Sequence, residues 1–496
     1  MRLITLTLVA LPCLSLALHA QTTNTTKATI RPLSLEESVR LALEHNLTIR
    51  IARHDARIVR FTLEGSYSYY DPVLAADAAY TYNTTELTQQ FQTGNIVFPG
   101  ENTSDSASTA IQGATPWGMR YDVGADVAFL TRDPPYNRSY DVDVGFIITQ
   151  PLLKGFWTDP GRTQIQINKK QVKISDYTLA LQIMGTIHDV EQAYFNLIAA
   201  QDGVKVQEKA VELAVRLLSE NKKRVEVGTM APLEEKQAES QAATTRADLI
   251  EALSTLGTAE LVLKNLITDR YEQWFSLRLQ PTERLMAIRE DFNLQASWLE
   301  GLTLRPDFNR AREEVERQGL EVRLAKNAVY PTLDLVGSYG RAGIDREFNG
   351  AWRDVRDDNL PRYSYGLQFS LPLGNRGARY SLRAAKERMT QLEDTLRSVH
   401  QTVIVEIDNA IGVARSAFER VGATRAAREY AEAALGAEEK KYENGRSTSF
   451  NVLRLQRDLT QARSDEIAAL ADYNKALSDL YYREGTTLQK NRVVIK

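Results

Sequence analysis

The sequence predicts a mainly α-helical chain with a smaller β-sheet portion, built as a tandem repeat of helix, strand, strand and long helical hairpin. Three observations predict this. The first is a heptad seam through Ile183, Ile187, Val190, Tyr194, Leu197, Gln201, Val204, Glu208, Val211, Val215, Leu218, Lys222 and Val225. Its steps alternate between four and three, the pattern of a helix packed lengthwise on partners. The second is a set of short alternating runs, such as Tyr140-Asp141-Val142-Asp143-Val144, which read as strands. The third is recurrence: Ala52-Arg53 returns as Ala311-Arg312, and Asp71-Pro72 as Tyr330-Pro331, both at an offset of 259. Later the offset is 221 (Gly145 with Gly366, Pro151 with Pro372) and then 217 (Val204 with Val421, Gly228 with Gly445). Its one large drop falls between the first copy's strands, where a loop insertion costs least.

In chain order, residues 1–20 read as a secretory signal: Arg2, an apolar run from Leu3 to Leu18, and a cleavage site before Gln21. Cys13, the only cysteine, lies inside it. An extended linker follows over 21–32. Ser34-Leu35-Glu36-Glu37 forms a capping box that opens a helix through Val39, Leu43, Ile49 and Arg53 to about Leu63. The first repeat spans 21–270, with strands expected at 72–83 and 140–151 and the hairpin at 161–270. Residues 83–118 are polar, lack a helical period and read as an excursion. Arg120–Leu130 is a further strand candidate. It either pairs with a strand inside 105–115, giving four strands in the first copy, or forms a hairpin outside the membrane, which is the favoured reading.

The long helix breaks at Val227-Gly228-Thr229-Met230-Ala231-Pro232, where Gly caps one helix and Pro opens the next. The return helix runs through Leu249, Leu253, Leu256, Leu263 and Leu266. An irregular segment covers 271–293. The second repeat follows at 294–485, with strands at 331–341 and 362–373 and a hairpin at 378–484, then a tail at 486–496.

Composition narrows the function. With 61 basic against 64 acidic residues, nothing suggests a nucleic-acid surface. No stretch after the signal approaches 18 apolar residues, so any membrane crossing must use strands. Strands in hydrocarbon must close into a barrel, and about four per chain are too few, so several chains would share one. Aromatics at strand ends (Tyr67, Tyr80, Tyr82, Tyr140, Trp352, Tyr363, Tyr365) resemble interfacial girdles. A small soluble sheet capping a coiled coil is the competing reading. His19, His45, His54, His188 and His400 are scattered, and no phosphate loop or nucleophile elbow occurs, so no enzyme, cofactor or metal site is expected.

Several stretches resemble the TolC family of outer-membrane efflux and secretion ducts. Leu33-Ser34-Leu35-Glu36-Glu37-Ser38-Val39 is similar to that family's opening helix, and Gln150-Pro151-Leu152-Leu153-Lys154-Gly155-Phe156 to its strand-to-helix junction. Most specific is the tip turn, present twice, at Val225–Glu234 and Tyr442–Leu453. The resemblance implies a homotrimer whose twelve-stranded barrel sits in outer-membrane lipid above an α-helical periplasmic tunnel. The segment 271–293 would form an equatorial belt. It also implies a periplasmic adaptor and an inner-membrane transporter of RND or ABC type as partners. By the same resemblance, Gly228, Thr229, Met230, Gly445, Arg446 and Ser447 are adaptor-docking turns, the alternative being plain helix caps. Glu234, Tyr442, Asn451 and Arg454 stand where a periplasmic gate is expected. Asn451 and Arg454 occupy positions expected to be acidic, and Arg454 instead pairs with Glu234, Glu235 or Glu239. The reading is therefore a passive exit duct for efflux or type I secretion; the rival is a structural or adhesive periplasmic or cell-surface coiled-coil protein. Polar interruptions of the seam (Gln201, Glu208, Lys222) are expected to face a water-filled lumen.

Overall fold

The computed structural model describes residues 30–91, 94–133, 137–357 and 360–493. The expected signal, the linker up to residue 29 and the last three tail residues lie outside them. Two antiparallel helical hairpins dominate: α3 (Pro160–Glu226) with α4 (Pro232–Ile267), and α8 (Arg376–Glu443) with α9 (Ser449–Glu484). At about 1.5 Å per residue, α3 and α8 each extend about 100 Å. No helix among the described residues is long and apolar enough to cross a membrane.

Shorter helices lie beside the long ones. The expected single helix after Ser34 is two, α1 (Leu35–His45) and α2 (Leu47–Ser66). Asn46 ends the first, and its side chain accepts the N–H of Thr48 at 2.9 Å and of Ile49 at 3.3 Å. An Asn cap is favourable enough to turn the chain where apolar periodicity runs on unbroken. The same break separates α5 (Leu294–Leu304) from α6 (Pro306–Asn327): Asn46 and Arg305 both adopt φ −63°, ψ 123°. Half of the capping box forms. Ser34 accepts the N–H of Glu37 at 3.1 Å, while the Glu37 carboxylate turns to Arg31 at 3.1 Å.

The seam is correct only in its upper half. Ile183, Ile187, Val190, Tyr194 and Leu197 are buried against α1, α2 and the end of α4. Below, burial passes to Ala210, Ala214, Leu217 and Asn221, one position before the expected Val211, Val215, Leu218 and Lys222. The partner has changed: Leu217 packs on Leu435, Tyr442 and Val452 of the second hairpin. Gln201 is also reassigned, since it donates to the carbonyl of Leu279 at 2.9 Å. The supposedly irregular 271–293 contains β6 (Arg278–Pro281), which pairs in parallel with β1 (Ile30–Leu33) at the end of the expected linker. Buried Tyr194 donates to the Leu33 carbonyl at 2.9 Å, fastening this strand pair to α3. The tail returns as α10 (Thr487–Lys490), and Asn491 donates to Glu191 at 3.0 Å.

The sheet departs most from expectation. It has six antiparallel strands in the order β2 (Val73–Phe91), β3 (Gly94–Ala114), β4 (Arg120–Asp133), β5 (Asn137–Pro151), β7 (Thr332–Asp345), β8 (Pro361–Ser370). The described part of the polar excursion is thus strand up to Ala114, and the Arg120–Leu130 candidate is paired along its length rather than set apart. Ser, Thr and Asn conceal β3 from a hydropathy reading, because they leave it without a strong apolar alternation. The short helix α7 (Phe348–Arg356) lies over the distal part of one face, with Ala351 and Val355 against Val142 and Tyr140.

Candidate functional site

Two regions carry chemistry that packing alone does not demand: the joined hairpin tips and the faces of the sheet. Each long helix ends in a left-handed glycine, Gly228 at φ 77° and Gly445 at φ 72°. The N–H of Thr229 donates to Arg224 O at 2.9 Å, and that of Arg446 to Lys441 O at 2.8 Å. These reach back over the glycine to satisfy terminal carbonyls, the Schellman arrangement. No side chain or backbone stands where a Cβ would project from either glycine, so both turns face open space.

The six expected docking residues separate. Gly228, Thr229, Gly445 and Arg446 are exposed. Met230 is half-buried and packs on the cluster of Leu217, Tyr442 and Val452. Ser447 donates to Glu438 at 2.5 Å, and Lys441 joins the same carboxylate at 3.0 Å. The Ser447 hydroxyl and then Lys441 hold the Glu438 carboxyl below its ordinary value.

Of the expected gate residues, Glu234 and Tyr442 are brought together and Arg454 is not. Buried Tyr442 donates its O–H to Asn221 Oδ1 at 2.6 Å, and the Asn221 amide reaches the Glu234 carbonyl at 3.4 Å. Ser449 donates to the Glu234 carboxylate at 2.9 Å. The Arg224 guanidinium lies 4.5 Å above the Tyr442 ring. Burial raises the Tyr442 phenol above its ordinary value, against the opposing Arg224 charge. The result is one polar link between the first hairpin (Asn221, Glu234) and the second (Tyr442, Ser449). Arg454 is exposed and senses Glu438, while Glu239 is taken by Lys236 at 2.7 Å, so its expected pairing across to Glu234, Glu235 or Glu239 does not form. Asn451 is half-buried beside it.

Sequence reasoning missed three residues at the tips. Asn221 reads as an unremarkable polar residue one place off the seam, yet it is fully buried at the centre of the link. Leu233 and Phe450 open the return helices at equivalent positions and are 66% and 53% exposed. Their shared offset of 217, the one that relates Gly228 to Gly445, was the signal that could have found them.

At the other end, the chain turns from helix to sheet around Asp159. Its carboxylate accepts the N–H of Arg162 at 2.6 Å, capping α3, and the Tyr70 O–H at 3.2 Å. Burial and then the Asp159 charge push the Tyr70 phenol up to about 12. Beyond this joint the sheet's faces differ. One carries Leu74, Val123, Phe146, Leu335, Leu367 and Phe369; the other carries Asp122, Asp126, Asp143, Ser338 and Arg362, with Arg362 on Asp143 at 2.7 Å. Among the described residues no group of three or more His, Cys, Asp or Glu side chains is placed to hold a metal ion.

Against this geometry the comparisons agree. Outer membrane protein TolC of Escherichia coli K12 is 25% identical over 331 residues, 64% of this chain and 64% of its own length. The pyoverdine export outer membrane protein OpmQ of Pseudomonas aeruginosa is 23% identical over 327 residues, 65% of this chain and 66% of its own. Among solved structures, the Campylobacter jejuni CmeC outer membrane channel superposes with a TM-score of 0.68 at 17% identity, covering 91% of this chain and 86% of that one. VceC of Vibrio cholerae gives 0.66 at 16%, over 91% and 96%. The outer membrane efflux protein model matches residues 130–268 and 300–485, which take in both hairpins, and the chain belongs to that family.

Proposed function

We propose that three copies of this chain form an outer-membrane exit duct that passively conducts cargo, delivered by an inner-membrane pump, across the periplasm to the outside. The observation that carries this is a sheet with two unpaired edges and an apolar face that is bare away from α7, standing on two hairpins about 100 Å long. In hydrocarbon each unpaired backbone group costs several kcal/mol, so β2 and β8 must find partners. An even strand number makes β8 of one chain antiparallel to β2 of the next, and a ring closes. The hairpins also leave apolar residues uncovered on flanking faces, Ile250 and Val262 on α4, Val405 and Val413 on α8, as surfaces for neighbouring subunits. A structural or adhesive coiled coil would explain the hairpins and leave the apolar sheet face without a purpose.

At the periplasmic mouth, the open glycine turns with Leu233 and Phe450 receive an adaptor, and the Tyr442–Asn221–Glu234–Ser449 link holds the tips together at rest. Relatives named for pyoverdine export and for cobalt-zinc-cadmium resistance share this family, which agrees with cargo choice residing in the pump. Replacing Gly228 and Gly445 together by leucine tests the docking reading. Cross-linking to the adaptor and export should both be lost, while trimers still reach the outer membrane. Normal cross-linking and export by the double variant would contradict it.

A further inference from the structure

The inserted hairpin β3–β4 bears on the size of the exit. Resting on the trimeric reading above, we propose that residues 94–133 supply two extra membrane strands per chain, so that the shared barrel has eighteen strands, three chains of six each.

Register is the first support. β3 pairs with β2 from Phe91↔Gly94 to Val73↔Gln112, and with β4 from Glu101↔Asp133 to Ala114↔Arg120, without a slip. β4 continues into β5 from Arg132↔Asn137 to Arg120↔Thr149. Residues opposite one another share a face, so faces can be traced across the insertion. On one face Val123, Val127 and Phe129 of β4 stand opposite Phe146, Val142 and Tyr140 of β5. Through β3 the same face passes to Ile111, Thr109 and Ala107, opposite Leu74, Ala76 and Ala78 of β2. On the other face Asp126 stands opposite Asp143, and Ser108 opposite Asp126. The insertion therefore continues the apolar surface through Ile111, Thr109 and Ala107 as far as Asp105, which stands between Tyr80 and Phe129, and continues the polar surface on its other side. Away from α7 the apolar side is bare, with Val123 50% and Leu74 70% exposed. A hairpin standing in water would have no reason to carry such a stripe.

The turn position is the second support. β3 ends and β4 begins at the helical side of the sheet, level with Pro151. Gln150 donates to the Trp117 carbonyl at 3.4 Å, and a Cβ on Gly118, at φ 86°, would collide with the backbone of Gly155. The insertion thus starts level with its neighbours at the strand–helix joint, and at the distal side β3 runs on with β2 past the end of β4.

Girth is the third. At about 4.8 Å between strands and a tilt of about 40°, twelve strands make a barrel about 24 Å across and eighteen about 36 Å. Where the sheet meets the helices each chain presents four, α2, α3, α6 and α8. Twelve helices at about 10 Å apiece enclose a tunnel about 38 Å across. Six strands per chain match the wall to the tunnel it continues.

The test is disulfide trapping in outer membranes of cells making the full chain. Ala76→Cys with Thr109→Cys, and Ala125→Cys with Val144→Cys, should each cross-link as completely as the control pair Thr149→Cys with Val336→Cys. Ala76→Cys with Val144→Cys should not. Cross-linking of 76 to 144, or failure of the 76–109 and 125–144 pairs while the control forms, overturns the eighteen-strand barrel. As a second readout, neutral polymers added from the outer side of a planar bilayer should enter the channel up to about one and a half times the radius admitted after deletion of residues 87–136. Equal cut-offs would contradict it. Native mass of the extracted particle separates the two levels: a mass other than three chains sinks the trimeric reading, whereas a trimer cross-linked 76 to 144 sinks only the strand count.

Discussion

At the scale of single residues, the tip is governed by two kinds of group, glycines that permit a turn and a buried phenol that fastens it. Gly228 and Gly445 reach φ values that cost an L-residue roughly 1–2 kcal/mol. The Tyr442 hydrogen bond is buried, so Tyr442→Phe leaves Asn221 Oδ1 without its donor, a penalty of about 1–3 kcal/mol. The expected outcome is a trimer that assembles normally but conducts more ions at rest, measured in planar bilayers. Its pH dependence has a definite sign. A phenol whose folded pKa is raised contributes its full stabilisation below the ordinary value of 10.0 and loses it as pH rises through the raised value. Resting conductance of the parent protein should therefore stay flat through neutral pH and climb only in strong alkali, and the Tyr442→Phe variant should lack that alkaline rise.

At the scale of elements, helices were legible in the sequence and their faces only partly so. Periodicity locates a helix whatever it packs on, which is why α3, α4, α8 and α9 fall close to their expected bounds. It does not name the partner. The buried stripe of α3 therefore moves from the Ile183–Leu197 register to Ala210, Ala214, Leu217 and Asn221 when the neighbour changes from α1 and α2 to the second hairpin. Breaks set by a capping side chain, as at Asn46, are hidden because apolar spacing continues through them. β3 was hidden for another reason. A strand with serines on one face and threonine, alanine and aspartate among the residues of the other has no strong alternation, and only its neighbours reveal which side is apolar. At the tips, glycine and proline marked the turns, whereas Leu233 and Phe450 went unread because single exposed apolar residues are common. Their replacement together by serine should weaken adaptor binding at least about tenfold, the ordinary size of losing two apolar anchors. Surface plasmon resonance against the adaptor's hairpin checks it; unchanged affinity would restrict docking to the glycine turns.

At the scale of the whole molecule, one chain is an incomplete object. Its sheet has two open edges, one apolar face and a polar one lined by Asp122, Asp126 and Asp143, and its hairpins carry uncovered apolar flanks. The proposed closed ring in lipid would resolve those features together, with the polar face turned to water and the tips converging far below. The measurement that tests this most directly is the mass and conductance of the particle released from outer membranes. The account predicts release by detergent and not by salt, a native mass of three chains, and discrete ion-conducting steps when the particle is added to a planar bilayer. A salt-extractable monomer that produces no conductance would contradict it.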